Sequence, residues 1–403
     1  MPGCDTATAS PTSASPVAAS RPLPRESPGH AVEELDAAGL LTTPSFVEPH
    51  IHLDKVLTAG RARENATNAF EEAIAIMREV KRAYTRGGCG RSGDAGHPLA
   101  GRPRVTLVRS YVDVDTIVGL TALEGVLAAR ERCRRLAHVE LIAFPQEGIW
   151  CDPGTDELMR QAVESGADVV GGMPFAEMIE SDSDRHIDFA FALARRFDRD
   201  VQMHVDESDD PGRARFTRYA VAAIKAGWHG RVTADHVTAL AAYDDNYAAR
   251  VMSLVAQARM NVVVLPTKLM RGGVRDKEPR RRGITRVKEL LAAGVNVAYG
   301  QDVIQDGFLP VFGTGDPLQV GFLLAFAAQF SSRTSIETLY DMGTVNGARI
   351  MRRPDYGLEV GRRADLVVVE APSVQEAYRT QAPRLAVLHD GRVVARNGRI
   401  VEG

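Results

Sequence analysis

From residue 46 onward the chain alternates short apolar runs with longer amphipathic stretches. Short runs rich in Val, Ile and Leu are typical of buried strands, and apolar positions three and four apart indicate helices. The predicted strands are residues 46–52, 105–114, 139–144, 168–173, 201–205, 231–236, 261–265 and 296–302. Helical patterns fall at residues 118–135, 155–165, 186–198 and 285–293. Eight βα units in series predict a closed (β/α)8 barrel, the TIM barrel, with its active site at the carboxyl ends of the strands.

One unit of the pattern breaks this alternation. A helix predicted at residues 69–84 is followed by RGGCGRSGDAGHPLAGRPR, residues 86–104. Glycine and proline both disfavour helix interiors. We therefore predict an irregular excursion here, or a frameshift in the gene.

The two ends of the chain differ from its middle. Residues 1–30 are rich in Ala, Ser, Thr and Pro, which predicts a disordered tail or a misplaced start codon. Residues 46–350 form the predicted barrel. Residues 351–403 carry further short strand patterns, and they predict a small β-domain formed mainly by the C-terminus. Residues 31–45 are expected to add a short N-terminal part to it.

Composition narrows the classes of partner. The net charge of -3 and a pI near 6.4 provide no basic surface for nucleic acid. No apolar run approaches the roughly 20 residues of a membrane span, so no membrane association is expected. The four cysteines show no paired spacing, which favours a reduced, cytoplasmic setting over a disulfide framework.

Polar residues at the predicted strand ends form a candidate metal site. His50 and His52 lie two apart in one strand, and this spacing places both on the same face. His204, His236 and Asp302 each end a later apolar run. Neutral imidazoles, a carboxylate and an open position for water are what metal-assisted hydrolysis requires. The pattern therefore predicts a metal-dependent hydrolase.

A series of motifs resembles the amidohydrolase superfamily and, within it, the cytosine deaminase group. In chain order they are FVEPHIHLDK, AFPQEGI, GADVVGGMP, HVDESDD, RRRGITRVKE, GVNVAYGQD and GLEVGRRADLVVVE. The resemblance covers roughly residues 40–400. It implies an enzyme that deaminates a small cytosine-like heterocycle through a metal-bound hydroxide. We also expect a homo-oligomer.

The resemblance implies a mononuclear centre holding one divalent ion, Fe²⁺ or Zn²⁺. Its ligands would be His50, His52, His204 and Asp302. The fourth strand ends in Met173-Pro174, whereas binuclear relatives place a carboxylated lysine there. That difference favours a single metal.

The resemblance also implies catalytic and binding roles. Glu207, three residues after His204, would shuttle protons. His236 would lie beside the bound water, and Asp302 would take a proton from that water. Gln146 would hold the substrate ring by its amide, and Phe308 occupies the position of an aromatic packing residue.

Departures from the group leave the substrate open. Val303 stands where enterobacterial-type cytosine deaminases carry a second acidic residue, and Lys55 closes the first motif as in relatives that hydrolyse N-alkylated triazines. One alternative is therefore an amidohydrolase that releases an alkylamine from an N-alkyl-ammelide or other s-triazine. An alternative of another class is a catalytically inactive scaffold protein, suggested by the irregular residues 86–104 and the short N-terminal β-segment.

Overall fold

The computed structural model describes residues 34–67, 70–96, 104–208, 210–268, 283–307 and 313–401. The predicted tail at residues 1–30 and the candidate residue Phe308 lie outside these ranges. Within the ranges, every helix is too short or too polar to cross a membrane.

The described strands belong to two sheets. In chain order they are β1 (Leu41–Pro44), β2 (Phe46–His52), β3 (Val105–Asp113), β4 (His138–Phe144), β5 (Val169–Val170), β6 (Asp200–Val205), β7 (Val232–His236), β8 (Asn261–Val264), β9 (Asn296–Tyr299), β10 (Leu366–Val369), β11 (Arg384–His389), β12 (Arg392–Arg396) and β13 (Arg399–Ile400). Each of the eight predicted barrel strands overlaps one of β2–β9.

Helices follow most of the barrel strands. In chain order they are α1 (Phe70–Lys81), α2 (Arg86–Gly96), α3 (Thr121–Cys133), α4 (Thr155–Glu164), α5 (Glu180–Phe197), α6 (Phe216–Ala226), α7 (Asp245–Gln257), α8 (Val287–Ala292), α9 (Pro317–Ala327), α10 (Arg333–Met342), α11 (Val345–Ile350) and α12 (Val374–Thr380). Their apolar faces pack on strands that are buried on both sides, which is why the strands read as continuous apolar runs.

The larger sheet closes into a barrel. Strands β2–β9 run parallel in chain order, and Ile51 of β2 forms a parallel bridge with Asp302, just beyond β9. The Asp302 amide donates to the His50 carbonyl at 2.9 Å, and the His52 amide donates to the Asp302 carbonyl at 3.0 Å. The predicted TIM barrel is confirmed, and its closing seam passes directly through three candidate ligands.

The smaller sheet is antiparallel, with strand order β1-β10-β11-β12-β13. One strand comes from the N-terminal side and four come from the C-terminal side, as predicted. Strand β1 pairs with β10, where Thr43 lies opposite Val367. The Thr43 hydroxyl also lies 2.9 Å from the Tyr340 hydroxyl of α10, so this sheet is joined to the barrel through a buried hydrogen bond.

The prediction of an irregular segment at residues 86–104 is wrong for residues 86–96, which form helix α2. Glycine makes this helix possible through packing. A Cβ on Gly125 of α3 would lie 2.6 Å from the Arg86 carbonyl oxygen and 2.8 Å from the Cys89 Cβ. Gly90 faces Gly125 in turn, so the two helices approach backbone to backbone. Tertiary contact here offsets the roughly 1 kcal/mol per residue that glycine costs a helix.

Candidate active site

Four buried side chains converge at the carboxyl ends of the barrel strands. His50 and His52 come from β2, His204 from β6, and Asp302 from the turn after β9. Asp302 Oδ1 lies 3.3 Å from both His50 Nε2 and His52 Nε2, and the Nε2 atoms of His52 and His204 are 3.2 Å apart. Tetrahedral ligands at roughly 2.0–2.2 Å from one ion are roughly 3.3–3.6 Å apart. The predicted ligand set therefore has the spacing of a single-ion site.

The electrostatics of this cluster favour a cation. Burial, together with the ammonium of Lys55, lowers the pKa of His52 to about 3, and burial lowers the pKa of His204 well below its usual value. Both imidazoles are thus neutral, as metal ligands must be. Burial alone would lower the pKa of His50, but the carboxylates of Asp235 and Asp302 raise it to about 9. The two carboxylates therefore favour positive charge at this position.

The outer nitrogen of His50 is fixed by a carboxylate. His50 Nδ1 lies 2.6 Å from Asp235 Oδ2, and both side chains are completely buried. The same oxygen accepts hydrogen bonds from the Tyr111 hydroxyl at 2.5 Å and from the Gln202 amide at 2.8 Å. A carboxylate in this position keeps the proton on Nδ1, and Nε2 is then free to face Asp302.

The contacts of Asp235 continue across the barrel interior. Arg109 donates to Gln202 Oε1 at 2.9 Å and pairs with Glu140 at 2.6 Å. Because Arg109 occupies the Gln202 oxygen, the Gln202 NH2 group must point toward Asp235. We call Asp235, Tyr111, Gln202, Arg109 and Glu140 the His50 network. TIM-barrel interiors are usually filled by branched apolar side chains, so this polar layer is a specific feature of the chain.

Glu207 and His236 lie beside the four-residue cluster. Glu207 Oε2 is 3.7 Å from His236 Nε2, and these two residues with His204 form a second group of closely spaced ligand atoms. The residue before Glu207 is tied to the start of α6: the Asp206 carboxylate accepts from the amides of Arg215 and Phe216, at 2.6 and 2.9 Å.

The backbone is left-handed at two strand ends of this site. His236 has φ of 67° and Asp302 has φ of 66°. A non-glycine residue in this region costs of order 1–3 kcal/mol, and such residues are frequent at active sites. At Asp302 the two backbone hydrogen bonds to β2 hold the turn in place.

A small pocket opens beside the cluster. It is lined by the cluster residues His52, His204 and Asp302, with Glu207, Gln146, Lys55, Phe144, Met173, Ile74, Val303 and Asp306. The structure thus places Gln146 at the wall of the pocket, and its role in holding a ring stays a prediction.

Buried charged residues surround one wall of the pocket. Lys55 is 3% exposed; its Nζ donates to Gln146 Oε1 and pairs with Asp113 Oδ1 at 2.8 Å. Asp113 Oδ2 in turn lies 3.2 Å from the Nζ of Lys81 on α1, which pairs with Asp115 and Glu147, both at 2.6 Å. We call Lys55, Asp113, Lys81, Asp115 and Glu147 the Lys55 network.

Several of these residues were not predicted from the sequence. A usable signal existed for Gln202, which lies two residues before His204, and for Tyr111 and Asp113, which alternate along β3. Asp306 also brings a carboxylate to the pocket, three residues beyond Val303, where enterobacterial-type cytosine deaminases carry their second acidic residue. The burial of Lys55 has no such signal, because an isolated lysine in a sequence is usually exposed.

A TIM barrel with imidazole and carboxylate groups gathered at the carboxyl ends of its strands is typical of metal-dependent hydrolases. The chain belongs to the amidohydrolase family, whose model matches residues 58–401.

Relatives with known activities match almost the whole chain. The structure of 5-methylcytosine deaminase from Klebsiella pneumoniae, liganded with 5-fluorocytosine, is 36% identical, with a TM-score of 0.87 and coverage of 94% of this chain and 92% of that one. N-isopropylammelide isopropyl amidohydrolase from Pseudomonas sp. (strain ADP) is 29% identical over 93% of this chain and 90% of the relative. Pterin deaminase from Rhizobium rhizogenes is 29% identical over 92% and 84%. All three are named as hydrolytic enzymes of heterocycles, so the chain is a hydrolase of this kind, and the scaffold alternative is not favoured.

Proposed function

We propose that this protein is a metal-dependent aminohydrolase that removes ammonia from a cytosine-like ring. One observation carries the proposal. The His50, His52, His204 and Asp302 cluster borders a small pocket that also contains Glu207 and the Gln146 amide. A hydrolytic centre, a proton carrier and a ring-binding amide therefore share one cavity.

A divalent ion held by those four residues would lower the pKa of water from 15.7 to roughly 7, which supplies a nucleophile at neutral pH. The attacking water gives up both of its protons, which Glu207 and Asp302 would accept. Glu207 delivers one of them to the ring nitrogen, and the other reaches the departing amine. His236, 3.7 Å from Glu207, stabilises negative charge that develops on the attacked side of the ring. Water oxygen replaces the exocyclic nitrogen, which leaves as ammonia.

The pocket favours a ring more apolar than cytosine itself. Val303 is buried and lines the pocket directly after Asp302, and Phe144, Met173 and Ile74 add further apolar surface. A methyl group on the ring finds contacts here that a bare ring does not use. Similarity to a 5-methylcytosine deaminase supports the same choice.

The test is a substrate panel on protein loaded with Fe²⁺ or with Zn²⁺. We expect ammonia release from 5-methylcytosine to exceed that from cytosine, isocytosine and ammelide in kcat/KM. Loss of activity on chelation and its return on metal addition would link turnover to the ion. If protein of verified metal content released ammonia from none of these rings, the proposal would be contradicted.

A second candidate activity is the release of an alkylamine from an N-alkyl-ammelide. Lys55 favours it, because a buried ammonium at the pocket suits a ring with several oxo groups, and a relative of that name matches most of the chain. N-alkyl-ammelides in the same panel, assayed for the alkylamine, separate the two activities. A larger kcat/KM for these rings than for 5-methylcytosine would select the second candidate.

A further inference from the structure

The amide of Gln146 is held at one end only. Its Oε1 accepts from Lys55 Nζ, whereas its Nε2 is buried and has no hydrogen-bond partner among the described residues. Gln146 lines the pocket, so the unused NH2 group is the part of the amide available to a bound ring.

Lysine decides which way this amide points. An ammonium group donates hydrogen bonds and accepts none, so only the oxygen of Gln146 can face it. The opposite rotamer would place an NH2 group against Nζ and leave donors facing donors in a buried site. Burial makes that arrangement unfavourable, because neither group can turn to water instead.

The Lys55 ammonium is itself fixed by its surroundings. Its nitrogen lies 2.8 Å from Asp113 Oδ1, and the Nζ of Lys81 lies 3.2 Å from Oδ2 of the same carboxylate. Lys81 also binds Glu147, the residue directly after Gln146, at 2.6 Å. The same network therefore restrains both the ammonium and the loop that carries the amide.

We propose that Lys55 locks the Gln146 amide with its NH2 group toward the substrate, so that the site selects rings with a hydrogen-bond acceptor at that edge. An oxo oxygen satisfies this group, and a ring amino group in the same position does not. Sites built to hydrogen-bond a substrate group discriminate far more strongly than sites that merely enclose it. The proposal rests on the proposed function and names the chemical feature by which that site chooses its ring.

The experiment compares 5-methylcytosine with 2,4-diamino-5-methylpyrimidine, in which an amino group replaces the oxo group. The measured quantity is the ratio of kcat/KM values, oxo over amino ring, in variant relative to wild type; the intrinsic reactivity of each ring cancels. Gln146→Glu presents an acceptor to the ring in place of a donor, and we expect the ratio to fall at least about 100-fold. Lys55→Met frees the amide to rotate, and we expect a fall of at least about 10-fold.

Matched controls carry the same changes on the surface. Lys225 and Gln257 are exposed, so Lys225→Met and Gln257→Glu should leave the ratio unchanged. Metal content is measured for every variant. A ratio within about threefold of wild type in Lys55→Met, with metal retained, would overturn the proposal.

Binding separates this proposal from the proposed function. If neither ring is turned over, the dissociation constants of both rings for zinc-loaded protein are measured by calorimetry in the same variants. Tighter binding of the oxo ring that depends on Lys55 would support the locked amide even though the deaminase assignment had failed. Equal binding of both rings would reject the locked amide. If Lys55→Met does not fold, Gln146→Glu alone decides: an unchanged ratio rejects the proposal and a reduced ratio supports it.

Discussion

The His50 network and the Lys55 network are two buried polar assemblies that reach the same cluster through different residues. The His50 network ends at Asp235, which accepts hydrogen bonds from Tyr111 and Gln202 and contacts His50. The Lys55 network ends at an ammonium that donates to Gln146 at the pocket and also lies 3.5 Å from Nδ1 of His52. We infer that the first governs how the ion is held and the second governs which ring is held.

The largest effect is expected from the cluster between the networks. Asp302→Ala, His50→Ala and His204→Ala each remove one of four proposed ligands, and the incomplete set should bind metal weakly. We expect metal content far below one ion per chain, measured by inductively coupled plasma mass spectrometry, with activity lost in parallel. His229→Ala, at an exposed histidine outside both networks, is the control. Full occupancy in all three variants would exclude the proposed ligand set.

Glu207→Gln is expected to lose activity and keep its metal. Glu207 lies beside the cluster and faces the pocket, so its replacement removes a proton carrier and leaves the four proposed ligands in place. General acid–base groups typically contribute 10²–10⁴-fold, so kcat should fall by about that factor. Glu164→Gln, at an exposed position on α4, should behave as wild type. Unchanged turnover in Glu207→Gln would show that protons travel by another route.

Asp235→Asn tests the comparison directly. Asparagine keeps the size of the side chain and removes the charge that holds the Nδ1 proton of His50 in place. Loss of such an outer partner typically lowers metal affinity by about 10–100-fold, which a competition titration with a chelator measures. In Asp235→Asn the ratio of kcat/KM values for the oxo and amino rings should not change. In Lys55→Met that ratio should fall, and the metal affinity is measured in the same titration because Lys55 Nζ also lies 3.5 Å from His52 Nδ1. If both variants change both quantities, the two networks are not separable.

A control for Asp235→Asn comes from an exposed aspartate. Asp390 lies in a turn with φ of 52°, a conformation that asparagine also tolerates. Asp390→Asn should therefore leave the metal affinity unchanged.

Much of the fold was predictable because parallel strands buried on both faces leave long apolar runs in the sequence. The candidate ligands were predictable for a related reason: each ends such a run. Pairings across the barrel were not, since the contact between His50 and Asp235 joins residues 185 positions apart. The burial of Lys55 and Lys81 was also hidden, because it depends on carboxylates that come from other segments.

Helix α2 was missed for a different reason. Glycine propensity describes an isolated helix, whereas Gly90 and Gly125 serve the contact between two helices. Local preference and tertiary packing oppose each other in this segment, and packing prevails. The contact that stabilises α2 comes from Gly125 on α3, some 30 residues away in the sequence. The composition of the α2 segment alone therefore could not predict it.

The smallest effect is expected from this helix pair, which lies outside both networks. A Cβ at Gly125 would lie 2.6 Å from the Arg86 carbonyl oxygen and 2.9 Å from the Gly90 nitrogen, so Gly125→Ala must push α2 and α3 apart. Overpacking of this kind typically costs about 1–3 kcal/mol, and the Tm should fall. Gly87→Ala in α2 is the matched control: its Cβ would meet only the flexible end of Arg91, at 3.5 Å. Alanine there should stabilise the helix by up to about 1 kcal/mol and raise the Tm slightly. Metal content and ring preference should be unchanged in both variants. A Tm that falls equally in the two would show that helix propensity, and not close packing, limits this region.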